Sequence, residues 1–385
     1  MITFAFRKFY DMNMNPFVTS GYVSPEYFCD RKNETEQLLR DIQGRSHTVM
    51  ISPRRMGKTG LIQHCFYQDV IRENFYSVFI DIYATLCLDD FIYMFGNEIC
   101  KQLRTKNALD IFARIVKSLK LDIGIDENGF LTASFGLGDI KDANRTWDEL
   151  FNYIAKADKS CVIAIDEFQQ ISRYPEKNVE ALLRTYIQHC NNATFIFAGS
   201  QRHLLQNMFA SASKPFYHSA NIVSLKPIDK GVYTDFVQEK FSQAGKNITE
   251  SQIAKVYDSF EGHTWYLQSV FYLLYYMSQP DCTEEMIEQA IDRRIMDNED
   301  VYSSLLYSLP EKQQKLLKAI AMEGTAVQIQ SAAFIKKYSL ASASSVQSAT
   351  NKLLDKDLIT QDSGSYAVND RFFGMWLQRA NGLVR

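Results

Sequence analysis

The 385 residues predict an α/β fold: a parallel sheet with helices on both faces, then an α-helical lid and a winged-helix domain. Three observations carry this. Over the first 225 residues, short apolar runs rich in Val, Ile and Phe alternate with helical stretches, the pattern of βαβ units. After Pro227 the strand-like runs stop and amphipathic helices follow one another. Toward the C-terminus, three helices precede two short extended pieces around Ser363 and Gly364, the outline of a winged helix.

The candidate strands are residues 47–52, 77–82, 160–165 and 193–199. They show little alternation, as expected of strands buried on both faces of a parallel sheet. A further strand, 221–225, closes the sheet domain at Pro227. Residues 229–245 form a helix with Tyr233, Phe236, Val237 and Phe241 on one face. Thr249 and Gln252 form a capping box that opens the next helix. Residues 263–277 and 283–296 complete a small helical lid. The winged helix takes helices 311–322, 331–338 and about 342–355, with extended pieces at 358–361 and 366–368. The aromatic end, Arg371 to Arg379, is expected to pack back on the lid. The domains are thus 1–227, 228–300 and 301–385. Residues 105–148 read as an insertion, with a hairpin turn at Asp126 to Gly129 and a strand over 130–135.

Composition narrows the function classes. Lys and Arg number 42 and Asp and Glu 45, for a net charge of −3, so no bulk basicity argues for a nucleic acid. The seven cysteines are scattered and form no CxxC or Cys/His cluster, so neither a disulfide frame nor a zinc site is expected and a reducing cytosol fits best. The longest apolar stretch, 266–277, has twelve residues, well short of the roughly 20 that span a bilayer. The first residues lack a continuous apolar core and a cleavage site, so they do not read as a signal peptide. Met12 or Met14 is an alternative start, with an unstructured extension before it.

The strongest chemical signal is the run VMISPRRMGKTGL, Val49 to Leu61. An apolar strand enters the frame Ser52-x-x-x-x-Gly57-Lys58-Thr59 and a helix follows. This is a P-loop with Ser in place of the first Gly. Ser52, Pro53, Arg54, Arg55, Met56, Gly57, Lys58, Thr59 and Gly60 are the candidate nucleotide-binding residues. Gly57 lets the backbone approach phosphate oxygens, and the helix start adds free N–H groups. Lys58 suits the β- and γ-phosphates, and the Thr59 hydroxyl suits Mg²⁺. The second signal is CVIAIDE, Cys161 to Glu167, an apolar strand ending in two acids. A carboxylate there is costly unless it faces a partner. Asp166 is placed to hold Mg²⁺ through water, and Glu167 to polarise the attacking water. The third is FIFAGSQR, Phe195 to Arg202, where Ser200 or Gln201 is placed to bond the γ-phosphate or that water. Arg54, Arg55 and Arg202 either face phosphates or are solvated. Of the six histidines only His263 lies near a motif.

These residues resemble the archaeal-type ATPases of the STAND branch of AAA+-related P-loop NTPases, and the resemblance covers nearly the whole chain. The family's F-x-x-R-x-x-E opening is matched by Phe28, Arg31 and Glu34. The resemblance implies that residues 17–31 line the base and that Arg31 contributes to the nucleotide site. Its P-R-R-x-G-K-T loop is matched by Pro53 to Thr59, its acid pair by Asp166 and Glu167, and its G-S sensor by Gly199 and Ser200. Gly262 to Leu267 matches a G-x-P-x-Y-L stretch with Thr264 in place of Pro, and Asp370 and Trp376 match the family's close without its Pro. Lys214 to Ser219 stands where such proteins carry an Arg, so hydrolysis is expected to be slow. No room remains for the nuclease-like domain of many relatives, so nuclease activity is not expected.

The expected function is binding of ATP or ADP and Mg²⁺-dependent ATP hydrolysis, with Glu167, Lys58 and Ser200 catalytic, coupled to switching between core, lid and winged helix. The alternative is an ATP-regulated DNA-binding or protein-scaffold module with little turnover. Residues 340–385 hold five basic and four acidic side chains, and phosphate neutralisation normally needs more charge. An unknown protein partner therefore ranks above DNA for the winged helix. A nucleotide-dependent homo-oligomer, with an arginine supplied in trans, stays open.

Overall fold

The structure, a computed structural model, describes residues 15–103, 121–125, 131–135, 143–362 and 364–380. The alternative starts Met12 and Met14 and the turn Asp126 to Gly129 lie outside the described residues. The chain forms two compact units, one spanning Ser20–Ile228, the other running from Asp229 onward and including the N-terminal segment that ends at Thr19.

The first unit is built on β1 (Thr48–Ile51), β2 (Phe75–Asp81), β5 (Ser160–Asp166), β6 (Ala193–Gly199) and β7 (Asn221–Ser224), in the order β2-β5-β6-β1-β7. All pairings are parallel. The three central strands are buried along nearly their whole length, whereas the edge strand β7 exposes most of its residues. This is why the inner strands read as unbroken apolar runs. Alternate residues feed two cores: Val49 and Ile51 face one side with Phe195 and Phe197, and Met50 faces the other with Ile196 and Ala198. On the first side, helices Leu88–Gln102 and Ala143–Ala155 bring Phe91, Phe95, Trp147 and Phe151 into contact at ring separations of 5.3–5.9 Å. On the second side lie helices Lys32–Gln43 and Lys58–Tyr67. Between the two described parts of this layer, β3 (Leu121–Ile125) and β4 (Leu131–Phe135) pair antiparallel, which agrees with the expected hairpin.

His47, just before β1, is half-buried, and its Nδ1 accepts the Phe195 N–H at 3.2 Å. Burial and the nearby Arg184 charge push its pKa down to about 4. The folded state therefore prefers neutral His47, while the unfolded chain takes up a proton near pH 6.5. Stability from this group is complete above pH 6.5 and lost as pH falls toward 4. Urea unfolding is expected to show about 2 kcal/mol less stability at pH 5 than at pH 7 from this residue. A His47→Gln variant should flatten that slope; an unchanged slope contradicts the assignment.

The second unit opens with helices Lys230–Gln243, Glu250–Ser259, Thr264–Met277 and Glu284–Met296. The capping box is present: Gln252 N–H reaches Thr249 Oγ1 at 3.3 Å and Thr249 N–H reaches Gln252 Oε1 at 2.9 Å. Phe17 is 0 % exposed here, ringed by Phe236, Phe241, Phe271 and Tyr275. Asn15 Nδ2 donates to the Tyr272 carbonyl, and Trp265 Nε1 to that of Thr19. Phe17→Ala is expected to cost about 3–5 kcal/mol, read as loss of stability in denaturant melts; a cost under 1 kcal/mol would contradict this packing.

The winged helix continues the same unit. Its helices are Glu311–Glu323, Ala332–Lys337 and Ala343–Asp355, and its sheet is β8 (Thr325–Val327), β10 (Ser365–Val368) and β9 (Ile359–Asp362), in that order. Strand β8 and the preceding helix Glu299–Tyr307 are additions to the sequence reading. The last helix, Arg371–Ala380, packs back as expected: Phe372 lies 5.1–5.2 Å from the rings of Tyr266 and Phe260. Bundle and winged helix thus share an aromatic core.

Candidate nucleotide-binding site

Because the strands are parallel and in register, their C-terminal ends share one edge. Ile51 lies opposite Gly199, Ile165 opposite Phe197, and Asp81 opposite Asp166. The loop after β1, the acid pair after β5 and Ser200 after β6 therefore converge, as ligand sites do in open α/β sheets.

The loop is shaped by residues that leave the ordinary backbone regions. Gly57 has φ 88° and caps helix Lys58–Tyr67, and Arg55 has φ 65°. Only glycine adopts the former without penalty. Ser52, where the usual frame has Gly, is buried, and its Oγ donates to the Pro53 carbonyl at 3.2 Å. Lys58 is 7 % exposed. Its Nζ donates to the carbonyls of Ser52 and Pro53, both at 3.2 Å. Desolvation lowers its pKa, while the charges of Asp166 and Glu167 oppose that shift. Among the described residues this buried ammonium is held on carbonyl and hydroxyl oxygens, which are weaker acceptors than an anion.

Thr59 Oγ1 donates to Asp166 Oδ2 at 2.8 Å. Desolvation raises the Asp166 pKa, against the stabilising bonds from Thr59 and from the Glu167 N–H. A hydroxyl beside a buried carboxylate is a hard-oxygen pair, which fits a Mg²⁺ that keeps waters and phosphate oxygens as its other ligands. Among the described residues no group of three or more His, Cys, Asp or Glu is placed to hold a metal. Glu167 has φ 55° and begins the short turn Phe168–Arg173. Its Oε2 accepts from Ser200 Oγ at 3.0 Å and from Gln169 Nε2. Arg54 Nε donates to Ser200 Oγ at 3.2 Å. Loop, acid and sensor residues thus form one connected network.

Other candidates stand at different places. Arg31, with φ 64°, donates to the carbonyls of Lys226 at 2.7 Å and Met56 at 3.4 Å, and pairs with Glu34 at 2.9 Å. It braces the phosphate loop from behind through backbone oxygens. Gln201 accepts from Arg173 at 3.1 Å. Lys214, in the segment where an Arg was expected, pairs with Glu180 at 3.0 Å. The segment 17–31 divides: Phe17 belongs to the second unit, and Phe28 stacks on His64 at 4.3 Å in the first. Tyr22 Oη lies 2.9 Å from His64 Nδ1. His64 sits on the helix that the phosphate loop opens, so His263 is not alone in lying near a motif. Gln169 carried no such signal, because the run Phe168-Gln169-Gln170-Ile171 holds two adjacent amides and nothing in it singles out the first.

No curated protein matches the chain. Similar solved structures include a Walker-type ATPase of Pyrococcus abyssi, with 17 % identity, a TM-score of 0.63, and coverage of 94 % of this chain and 99 % of that one. The Aeropyrum pernix ORC2 protein, in ADPNP and ADP complexes, has 14 % identity, a TM-score of 0.59 and coverage of 95 % and 98 %. The Aeropyrum pernix ORC1 protein in complex with DNA has 11 % identity, a TM-score of 0.53 and coverage of 93 % and 94 %. At these identities the likeness is one of fold. Residues 300–379 match a probable winged helix domain. Residues 28–270 match the model of an ATPase domain predominantly from Archaea, and with that span covered the chain belongs to this family of P-loop ATPase domains.

Proposed function

We propose that the chain binds ATP with Mg²⁺ on the loop Ser52 to Gly60 and hydrolyses it slowly. The observation that carries this is the contact between Thr59 and Asp166, 2.8 Å across 107 positions of sequence. It joins the phosphate loop to the acid strand in the arrangement that a phosphate-bound cation requires. Thr59 and Asp166 would hold Mg²⁺, Asp166 through water. Mg²⁺, when bound, offsets the charge of the phosphate oxygens. Lys58 leaves its loop carbonyls for the β- and γ-phosphates, and the N–H groups at the helix start meet phosphate oxygens. Water attacks the γ-phosphorus, its proton passes to Glu167, and ADP leaves. Ser200 holds the carboxylate in place.

The bundle and winged helix share the core of Phe260, Tyr266 and Phe372. We therefore couple hydrolysis to movement of these two as one body. Calorimetry with ATP, with and without Mg²⁺, followed by single-turnover phosphate release, tests the reading. Absence of ATP binding at millimolar nucleotide would sink it. Binding without any phosphate release would leave the scaffold alternative in its place.

The exposed face of helix Ala343–Asp355 offers Ser344, Gln347, Asn351 and Lys352, with one charge among the four. This favours a protein partner for the winged helix over DNA. A mobility shift that survives physiological salt would reverse that preference.

A further inference from the structure

Gln169 lies in the turn Phe168–Arg173 and is 3 % exposed. Its Nε2 donates to Glu167 Oε2, the oxygen that also accepts the Ser200 hydroxyl at 3.0 Å. The polarity of this network is fixed. Arg54 Nε can only donate, so Ser200 Oγ accepts from it at 3.2 Å and gives its single proton to Glu167. The amide of Gln169 is fixed too, because turning it over would set its carbonyl oxygen against the carboxylate.

The remaining atom is what separates a role from mere packing. Gln169 Oε1 is buried and has no hydrogen-bond partner among the described residues. An orphaned acceptor is destabilising, and leucine would fill the space without that cost. Space is made for the amide at Gly199: a Cβ there would fall 2.0 Å from Gln169 Oε1 and 2.9 Å from Leu205 Cδ1. Glu167 meanwhile sits at φ 55°, half-buried, in a backbone region that non-glycine residues seldom adopt. A glutamine that is unfavourable for packing, seated in a gap that only glycine leaves, makes its side-chain hydrogen bond among the described residues to that carboxylate.

We propose that Gln169 is the positioning residue of the Glu167 carboxylate, seated by Gly199 and acting opposite Ser200. The proposal rests on the ATPase reading above. Ser200 ties the carboxylate to the phosphate loop through Arg54, and Gln169, packed against Gly199, holds the same oxygen from the turn Phe168–Arg173.

The test is Gln169→Leu in the full chain, with Gln169→Met as a second variant should the first fail to fold. Single-turnover phosphate release should fall about tenfold to a hundredfold, as for a misplaced reacting group. The Kd for ATP should stay within about twofold, because the contact lies on the carboxylate and not on the nucleotide. In a Glu167→Gln background the same substitution should add no loss, since Gln169 acts through Glu167. In nucleotide-free protein, the Gln169 side-chain amide protons should shift by NMR when Glu167 becomes Gln. Unchanged turnover in Gln169→Leu, an equal loss in the Glu167→Gln background, or an unmoved amide signal would each overturn the proposal. If the wild-type chain turns over no ATP, the parent reading falls, and the amide signal alone decides whether Gln169 holds Glu167.

Discussion

Lys58→Ala should lose ATP binding by about 3 kcal/mol, roughly a hundredfold in Kd, when measured by calorimetry in the presence of Mg²⁺. The reason lies in where the ammonium is held. It is 7 % exposed and bonded to the Ser52 and Pro53 carbonyls. Desolvation has already lowered its pKa, so the apo protein carries a destabilised cation that an incoming triphosphate relieves. Alanine removes that relief. The melting temperature of nucleotide-free protein should change little, since the removed group carried its own desolvation cost. ATP affinity within threefold of wild type would show that the loop is not the phosphate site.

Glu167→Gln should leave ATP affinity nearly intact and lower single-turnover phosphate release by about a hundredfold or more, the usual range for a lost general base. The amide is nearly isosteric and can still accept from Ser200, so the network at 3.0 Å and 3.2 Å keeps its shape. What it loses is the capacity to take a proton. The result that counts against this role is a rate within about threefold of wild type.

The inner strands were legible because burial on both faces leaves few polar positions in them. Strand β8 was not, since three residues with only Ala326 buried carry no period. The phosphate loop and acid pair were legible as short motifs whose residues lie next to one another. The network between them was not: Arg54 and Ser200 are 146 positions apart, and only the parallel register of β1 and β6 brings their ends together. Arg31 shows the limit of a motif. Its presence was readable, but its positive φ and its bonds to backbone oxygens follow from tertiary packing. Gln169 shows a different limit, because its meaning depends on the gap left by Gly199, thirty residues on.

Phe17 has a consequence for synthesis. Asn15 reaches the carbonyl of Tyr272, 257 positions later. A ribosome adding roughly 5–20 residues per second needs about ten to fifty seconds to cover that interval. For most of it, until Phe236 and Phe241 are made, the segment around Phe17 lacks its final aromatic neighbours, while the parallel sheet made in between can already close. The second unit therefore completes its core only late, with a segment made well before its helices. Such long-range closure slows folding, and it gives a chaperone or a neighbouring nascent chain time to meet the exposed Phe17 segment before its own helices exist.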